Sequence, residues 1–144
     1  MGGSAMHIQT IQMQTNERPL EGKLSVFEGS GHDLPFDIKR IYYIYEVPRG
    51  VMRGGHAHKK LRQLLWCPYG RIRIRLDDGH EKAEVLLDTP NKGLVVEHNM
   101  WREMLWEKEN SVLCVAASEF YEESDYIRDY RQFLRFVREQ EEQA

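Results

Sequence analysis

The sequence lacks the features that mark membrane-spanning, secreted and nucleic-acid-binding proteins. No apolar run approaches the ~20 residues that a membrane-spanning helix needs. No charged start is followed by an apolar stretch, so we expect no signal peptide and a cytoplasmic protein. The formal net charge of -3 argues against a general affinity for nucleic acid or for an anionic membrane surface.

Cysteine is also scarce, since Cys67 and Cys114 are the only two and both lie in apolar runs. Buried free thiols are expected there, rather than a disulfide framework. The 144 residues suffice for one domain with a sizeable core and are too few for two comfortable ones. With no repeat, low-complexity segment or linker in view, we predict a single domain over residues 6–144, and residues 1–5 as a leftover of cloning.

Most of the chain is predicted to form short strands. Residues 71–76 alternate strictly, with arginines such as Arg73 on one face and aliphatic side chains on the other. The acidic, glycine-containing residues 77–80 that follow predict a hairpin turn. The regular spacing of the strands favours an antiparallel sandwich or barrel. Strands are predicted at residues 23–27, 38–47, 61–67, 71–76, 83–87, 93–97 and 112–117.

The C-terminal segment is the exception to this pattern. Ser124 can cap a helix, and Asp125 favours the positive N-terminal end of its dipole. Apolar residues then recur at helical spacing, so that one face of the helix can pack on the sheets. A helix is therefore predicted over residues 124–141, with apolar positions Ile127, Tyr130, Leu134 and Val137.

The most distinctive segment covers residues 53–59 and contains two histidines one residue apart. His56 and His58 share a face if the chain is extended there. The glycine pair just before them, Gly54 and Gly55, permits a tight turn. A carboxylate four or five residues later would make a metal half-site, but Gln63 stands in that region. This favours proton chemistry by the histidines over metal binding.

The spacing of His56, His58, Gln63 and Gly70 is similar to the first motif of the cupin superfamily, whose metal-binding members have glutamate in place of the glutamine. In those members a third histidine comes from a later strand, and here Arg102, or Glu103 beside it, falls near that position. A transition metal needs several neutral or anionic ligands, so this set works against one. We expect no metal and an acid–base pair, with a tyrosine, an arginine or the second histidine supporting a developing oxyanion.

Cationic side chains lie in or near the predicted strands, the histidine segment and the final helix. Arginine forks match phosphate oxygens, and tyrosine faces suit a nucleobase or a sugar. A solvated charged face is the alternative, and we favour it for Arg71 and Arg75. The cationic candidates are Arg40, Arg49, Arg53, Lys59, Arg73, Arg102 and Arg128.

Four segments in this order resemble the nucleotide-sugar 3,4-ketoisomerases, which are cupin-fold enzymes acting on dTDP-4-keto-6-deoxyglucose. They are residues 38–43, 53–59, 101–104 and 121–130, and the resemblance extends over about residues 22–136. It implies an all-β cupin, or jelly-roll, fold with a C-terminal α-helix. It also implies an isomerase without cofactor or metal that moves a carbonyl from C4 to C3 of the hexose, in the synthesis of 3-amino sugars.

The resemblance further implies roles for individual residues. His56 would take the C3 proton to form an enediol(ate), and a proton would then be delivered to C4. His58 would assist as an acid or as a hydrogen-bond partner of the sugar oxygens. A tyrosine of the pair 42–43 is expected near the sugar, with Tyr43 as the candidate. The family forms homodimers with exchanged N-terminal strands. The implied substrate-binding residues are Arg53 and Arg128 at the diphosphate, with Arg40, Lys59, Arg102, Lys23 and Arg73.

Two of these positions vary within the family and bear on the stereochemistry at C4. Other members carry histidine where this chain has Arg102, and Lys23 occupies a second variable position. Arg102 favours the gluco-configured product over the galacto-configured one. Two alternatives stay open: a dTDP-sugar epimerase of similar cupin fold, and a sugar-binding cupin without catalytic activity.

Overall fold

The computed structural model describes residues 6–144, so the predicted cloning remnant at 1–5 lies outside the described residues. The strands are β1 (Gln9–Gln12), β2 (Gln14–Arg18), β3 (Gly22–Val26), β4 (Arg40–Ile44), β5 (Met52–His58), β6 (Gln63–Tyr69), β7 (Ile72–Asp77), β8 (Lys82–Leu87), β9 (Lys92–Val96), β10 (Trp101–Trp106), β11 (Val112–Ala117) and β12 (Tyr126–Ile127). A 3₁₀ turn covers Glu123–Asp125, and helix α1 covers Tyr130–Gln143.

Ten of the strands form two five-stranded antiparallel sheets, in the orders β1-β9-β6-β11-β4 and β12-β5-β10-β7-β8. The main core contains side chains from both sheets, among them Leu65 of β6, Ile74 of β7 and Trp106 of β10. The predicted all-β cupin sandwich with a C-terminal helix is confirmed. In the part of the chain that the structure describes, the helix is neither long nor apolar enough to cross a bilayer.

Strand β7 shows how the alternation in the sequence becomes the two faces of a sheet. Ile72, Ile74 and Leu76 point into the core and are buried. The arginines between them lie on the other face, where Arg73 and Arg75 both bond Glu84 of the neighbouring β8. The predicted hairpin joins β7 to β8, and the Asp77 carboxylate accepts a hydrogen bond from the backbone of the turn.

The predicted start of the C-terminal helix is wrong. The N-cap of α1 is Asp129, whose carboxylate accepts a hydrogen bond from the Gln132 backbone, and not Ser124. The segment before it forms the 3₁₀ turn and then β12, which pairs with β5. One face of α1 packs Phe133 and Val137 against Ala57 of β5, with Leu134 partly buried beside them. Val137 and Leu134 were predicted on this face, whereas Phe133 was not.

Strands β1, β2, β5, β10 and β12 were not predicted. The glycines of β5 interrupt its apolar pattern, and in β10 a charged residue, Arg102, occupies an inward position. Strands β2 and β3 form a hairpin apart from both sheets. Leu20 at its tip and Leu24 in β3 are exposed. The predicted exchange of N-terminal strands between two subunits stays a prediction.

Candidate active site

A cavity of about 300 Å³ lies where β4, the last strand of one sheet, approaches β5 and β12 of the other. Its volume is at the lower end of the range for small-molecule sites. A larger cavity of about 440 Å³ lies by Trp101 and Tyr130 on the outer side of the second sheet, but no histidine lines it. The smaller cavity is lined by Arg40, Tyr42, Ile44, Arg53, Gly54, His56, Met104, Tyr126 and Arg128.

The glycine pair before the histidines forms a β-bulge inside β5 and not the expected turn. Gly54 and Gly55 have φ values of 89° and 75°, which are open to glycine and strained for other residues. Opposite them the ladder shifts register: His56 pairs with Arg102, and Gly54 with the next residue, Glu103. A bulge of this kind re-aims the side chains beside it.

The two histidines share one face of the strand, as predicted. Their ring centroids are 5.0 Å apart and the planes are nearly perpendicular, at 86°. Tyr126 packs on both rings, with centroid distances of 5.1 Å to His56 and 4.3 Å to His58. Ala57 between them points to the other side and is buried under α1. The strand therefore presents both imidazoles together.

His56 lines the cavity and is held in its neutral form. Burial lowers the pKa of His56 to about 3, with the positive charges of Arg102 and Arg128 adding to the effect. A hydrogen bond with the Gly54 backbone and the charge of Glu123 act in the opposite direction. At neutral pH the ring is unprotonated, so it can accept a proton from a ligand.

His58 is fully buried behind this surface. Its Nδ1 lies 3.2 Å from Oδ2 of Asp125, and its Nε2 has no hydrogen-bond partner among residues 6–144. Burial lowers the pKa of His58, and Arg102 and His56 lower it further. The attraction of Asp125 acts the other way, but its carboxylate also accepts backbone hydrogen bonds from Lys60 and Leu61. We therefore regard His58 as a neutral ring.

Gln63 and Arg102, which the sequence motif compares with the remaining ligands of a metal-binding cupin, bond each other. Nη1 of Arg102 donates to Oε1 of Gln63 at 2.5 Å, and Nη2 donates to the Met100 carbonyl at 2.8 Å. Nε2 of Gln63 donates to the Tyr42 hydroxyl at 3.0 Å. Within residues 6–144 no group of three His, Cys, Asp or Glu side chains could hold a metal. The donor set here does not fit a metal centre.

This arrangement corrects the prediction that Arg102 contacts substrate. The side chain is completely buried and does not line the cavity. Burial lowers its pKa to about 10, so the guanidinium keeps its charge at neutral pH. Without lining the cavity, that positive charge lowers the pKa of both His56 and His58.

Three of the predicted arginines reach the cavity. Arg40 stacks near Tyr42 and Tyr121, at 5.3 and 5.7 Å from the ring centres, and its Nε and Nη2 have no partner in the described part of the chain. Arg128 lies 4.1 Å from the ring centre of Tyr126 and pairs with Glu123. Arg53 completes the set. Unpartnered buried N–H groups indicate room for an acceptor from a ligand.

The predicted tyrosine is on the wrong face. Tyr43 is 62% exposed on the outer side of β4, where it packs beside Tyr45. Tyr42 faces the cavity instead, because neighbouring residues of a strand point to opposite sides. Burial raises the pKa of Tyr42, so its hydroxyl stays protonated. It accepts from Gln63 and can donate its own proton to a ligand.

Three other predicted contacts are not brought to the cavity within this chain. Arg73 lies on the outer face of β7, where Nε donates to Glu107 at 2.6 Å. Lys23 is exposed on the β2–β3 hairpin, which stands apart from both sheets. Lys59 follows β5 but lines a neighbouring depression together with Asp125.

Sequence reasoning missed Tyr126 and Asp125 as parts of the site. Both lie in the segment that was predicted as helical, so the faces of their side chains were assigned wrongly. The segment was nevertheless among the four that carry the family resemblance. Its dense run of aromatic and charged residues was the available signal.

The chain is similar to proteins of known activity. A family model described as "FdtA: WxcM-like, C-terminal" matches residues 6–138. The TDP-4-oxo-6-deoxy-alpha-D-glucose-3,4-oxoisomerase of Aneurinibacillus thermoaerophilus is 45% identical over 105 residues, which are 73% of this chain and 76% of that protein.

Two solved structures extend the likeness to nearly the whole fold. A 3,4-ketoisomerase from Helicobacter canadensis is 41% identical with a TM-score of 0.88, and the match covers 93% of this chain and 99% of that one. A histidine-to-asparagine variant of the 3,4-ketoisomerase QdtA from Thermoanaerobacterium thermosaccharolyticum was solved with TDP-4-keto-6-deoxyglucose. It is 38% identical with a TM-score of 0.88, over 94% of this chain and 97% of that one.

Proposed function

The chain belongs to the FdtA family of sugar 3,4-ketoisomerases, and we propose that it converts dTDP-4-keto-6-deoxyglucose into a dTDP-3-keto-6-deoxyhexose. The observation that carries the proposal is the pair of neutral imidazoles, 5.0 Å apart, beside a cavity lined by three arginines. A relative that binds this substrate shares the fold over 94% of this chain.

The reaction moves two hydrogens and needs no outside oxidant. One leaves C3 and arrives at C4, and the other leaves the C3 hydroxyl and arrives at the C4 oxygen. A C–H bond next to a ketone is weakly acidic, so its proton must go to a well-placed base. His56 lines the cavity, and we assign it to the carbon-bound proton: it forms the enediol(ate) and returns the proton to C4.

The oxygens of the intermediate need separate partners. We assign Nε2 of His58, which has no partner among residues 6–144, to the proton that moves between the two oxygens. Because His58 is buried, it meets the sugar only when the hexose fills the inner end of the cavity. The Tyr42 hydroxyl, which already accepts from Gln63, donates to a sugar oxygen and stabilises its developing negative charge.

The arginines hold the part of the substrate that does not react. Arg40, Arg53 and Arg128 supply N–H donors at the cavity wall, and a diphosphate is the group that such forks match. Binding the nucleotide far from the reacting carbons positions the sugar against His56. We further propose a homodimer with exchanged N-terminal strands, which would give the exposed Leu20 and Leu24 of the β2–β3 hairpin a partner surface.

We also propose the gluco-configured product. Arg102 stands where other members of the family have histidine, and it is the cross-strand partner of His56. A residue in that place determines how the imidazole approaches C4. The 3-keto group of the product is what a sugar aminotransferase requires, so we propose that the enzyme serves 3-amino sugar synthesis.

Incubation with dTDP-4-keto-6-deoxyglucose in deuterated water tests the proposal. We expect NMR to show a C3 ketone in the product, with any deuterium taken from solvent confined to the migrating position at C4. Coupling constants of that product, or of its borohydride-trapped alcohol, give the configuration at C4. Exchange at C3 and C5 with inversion and no carbonyl migration would identify an epimerase, and tight binding without turnover would identify a sugar-binding protein.

The pH dependence of kcat/KM tests the electrostatic assignment. A base whose pKa is lowered in the folded protein stays neutral until the pH falls towards that lower value, about 3 for His56. We therefore expect kcat/KM to hold its neutral-pH value down through pH 6.5, where an ordinary histidine would be half protonated. A fall in kcat/KM centred at or above pH 6.5 would contradict the lowered pKa of His56.

Acid unfolding must be separated from this measurement. In the unfolded chain His56 titrates near pH 6.5, so the unfolded state binds more protons as the pH falls below that value. The contribution of neutral His56 to stability is therefore present above pH 6.5 and is lost between there and its folded pKa of about 3. Tryptophan fluorescence at each pH identifies the range in which the enzyme stays folded.

A further inference from the structure

We propose that Asp125 is a positioning residue of the reaction: it holds His58 in the tautomer with the proton on Nδ1, which leaves Nε2 as the proton acceptor. This inference rests on the proposed function for its kinetic consequence, although the tautomer itself does not depend on the substrate. Asp125 is not among the residues that the sequence identified as part of the site.

Asp125 accepts hydrogen bonds from the last residue of β5 and from the residues just after it. Its Oδ2 lies 3.2 Å from Nδ1 of His58 and also accepts from the Leu61 backbone N–H at 3.2 Å. Its Oδ1 accepts from the Lys60 backbone N–H at 2.8 Å, and its own carbonyl accepts from the Lys59 N–H at 3.0 Å. These contacts fix the carboxylate on residues 58–61.

The contact with Asp125 decides which nitrogen of His58 carries the proton. An ionised carboxylate only accepts hydrogen bonds, so the hydrogen between it and Nδ1 belongs to the imidazole. A neutral ring holds one such proton, and Nε2 is then left with its lone pair. The same partnership between a carboxylate and a catalytic histidine sets the tautomer in serine proteases.

The remaining surroundings of His58 oppose a second proton. Its ring lies between His56, at 5.0 Å, and Tyr126, at 4.3 Å. The charges that act most strongly on the ring are positive and come from three elements: Arg102 on β10, Arg40 on β4, and Arg128 just after β12. Nε2 is therefore unprotonated, buried and without a partner among residues 6–144. It can accept a hydrogen bond from a hydroxyl group of a bound ligand.

The test compares wild type with Asp125→Asn, an isosteric change that removes the charge and adds donor capacity. An asparagine can donate to Nδ1 and so permits the other tautomer, with the proton on Nε2. The tautomer is measured by ¹⁵N NMR of the imidazole nitrogens in the free enzyme, assigned with His58→Gln. We expect the Nδ1–H form in wild type and its loss in Asp125→Asn.

The kinetic readout separates positioning from folding. We expect kcat to fall by about 10²- to 10⁴-fold in Asp125→Asn, as it does when the carboxylate of a catalytic triad is neutralised, with KM nearly unchanged. Asp125→Glu, which keeps the carboxylate, should restore part of kcat. The matched control is Asp129→Asn, since asparagine caps a helix as well as aspartate and should leave kcat unaltered.

An Nε2–H tautomer in wild type would overturn the inference, and so would full kcat in Asp125→Asn. The wild-type NMR result decides the tautomer even if the variant fails to fold. If the wild-type protein shows the Nδ1–H tautomer and does not turn over dTDP-4-keto-6-deoxyglucose, the proposed function fails while the role of Asp125 in holding His58 stands.

Discussion

His56→Asn is expected to lower kcat at least 100-fold, the smaller end of what a positioned acid–base group contributes. Asparagine keeps roughly the size and polarity of the side chain but cannot take a proton from carbon. His56 is the histidine that lines the cavity, and its neutral form is favoured by burial and by Arg102 and Arg128. Because the arginines proposed to bind the nucleotide remain, KM should change little.

The measurement pairs steady-state kinetics with incorporation of solvent deuterium at the migrating position, C4 of the product. Both should be lost together, since they depend on the same proton transfer. His32→Asn is the control, because His32 is exposed in a loop and does not line the cavity. If His56→Asn retains deuterium incorporation and turnover, another group is the base and the assignment fails.

The histidine pair and the sheets were readable from the sequence because alternation of side chains is a local property of a strand. Residues 71–76 alternate strictly, and their aliphatic side chains pack into the core while the arginines lie on the other face, as predicted. The spacing of His56 and His58 placed both rings on one face for the same reason. These predictions needed no knowledge of which strands are neighbours.

The incorrect assignments depend on contacts between distant parts of the chain. Which of Tyr42 and Tyr43 faces the cavity follows from the pairing of β4 with β11, and no local pattern fixes it. Arg102 looked like a ligand contact because arginine is rarely buried, and its partners Gln63 and Met100 become visible only when β6 and β10 are brought together. Asp125 escaped notice because its bonds reach back to residues 58–61.

Arg102 places a fixed positive charge beside the two histidines. In a metal-binding cupin the histidines are neutral because they ligate a cation, whereas here a buried guanidinium supplies the positive charge behind them. Unlike a metal ion, the guanidinium does not coordinate the imidazole nitrogens; its N–H groups bond Gln63 and Met100 instead. It disfavours the charged forms of both imidazoles, which the proposed mechanism needs in their neutral forms.

Gly54→Ala is expected to disrupt both stability and turnover, because the bulge of β5 brings this glycine against β10. A Cβ there would lie 2.7 Å from Sδ of Met104 and 2.9 Å from the Arg102 carbonyl. The first is a flexible side chain that can move, but the second is backbone of the strand paired with His56. The φ of 89° adds strain for any side chain.

Gly50→Ala is the matched control, since Gly50 has the same φ of 89° and no atom within 4 Å of an added Cβ. Both variants should lose about 1–3 kcal/mol from backbone strain. Gly54→Ala should lose about 1–3 kcal/mol more from overpacking, measured as the difference in free energy of unfolding in urea. Equal losses in the two variants would show that β10 yields freely to the added methyl group.

Activity of the folded fraction should separate the two variants further. His56 is two residues from Gly54, and a displacement of its ring by about 1 Å can lower kcat by about 10²-fold. We therefore expect Gly50→Ala to keep wild-type kcat and Gly54→Ala to lose most of it at temperatures where both remain folded. The bulge would then be a requirement of the chemistry, because only glycine lets β5 approach β10 closely enough to aim His56 into the cavity.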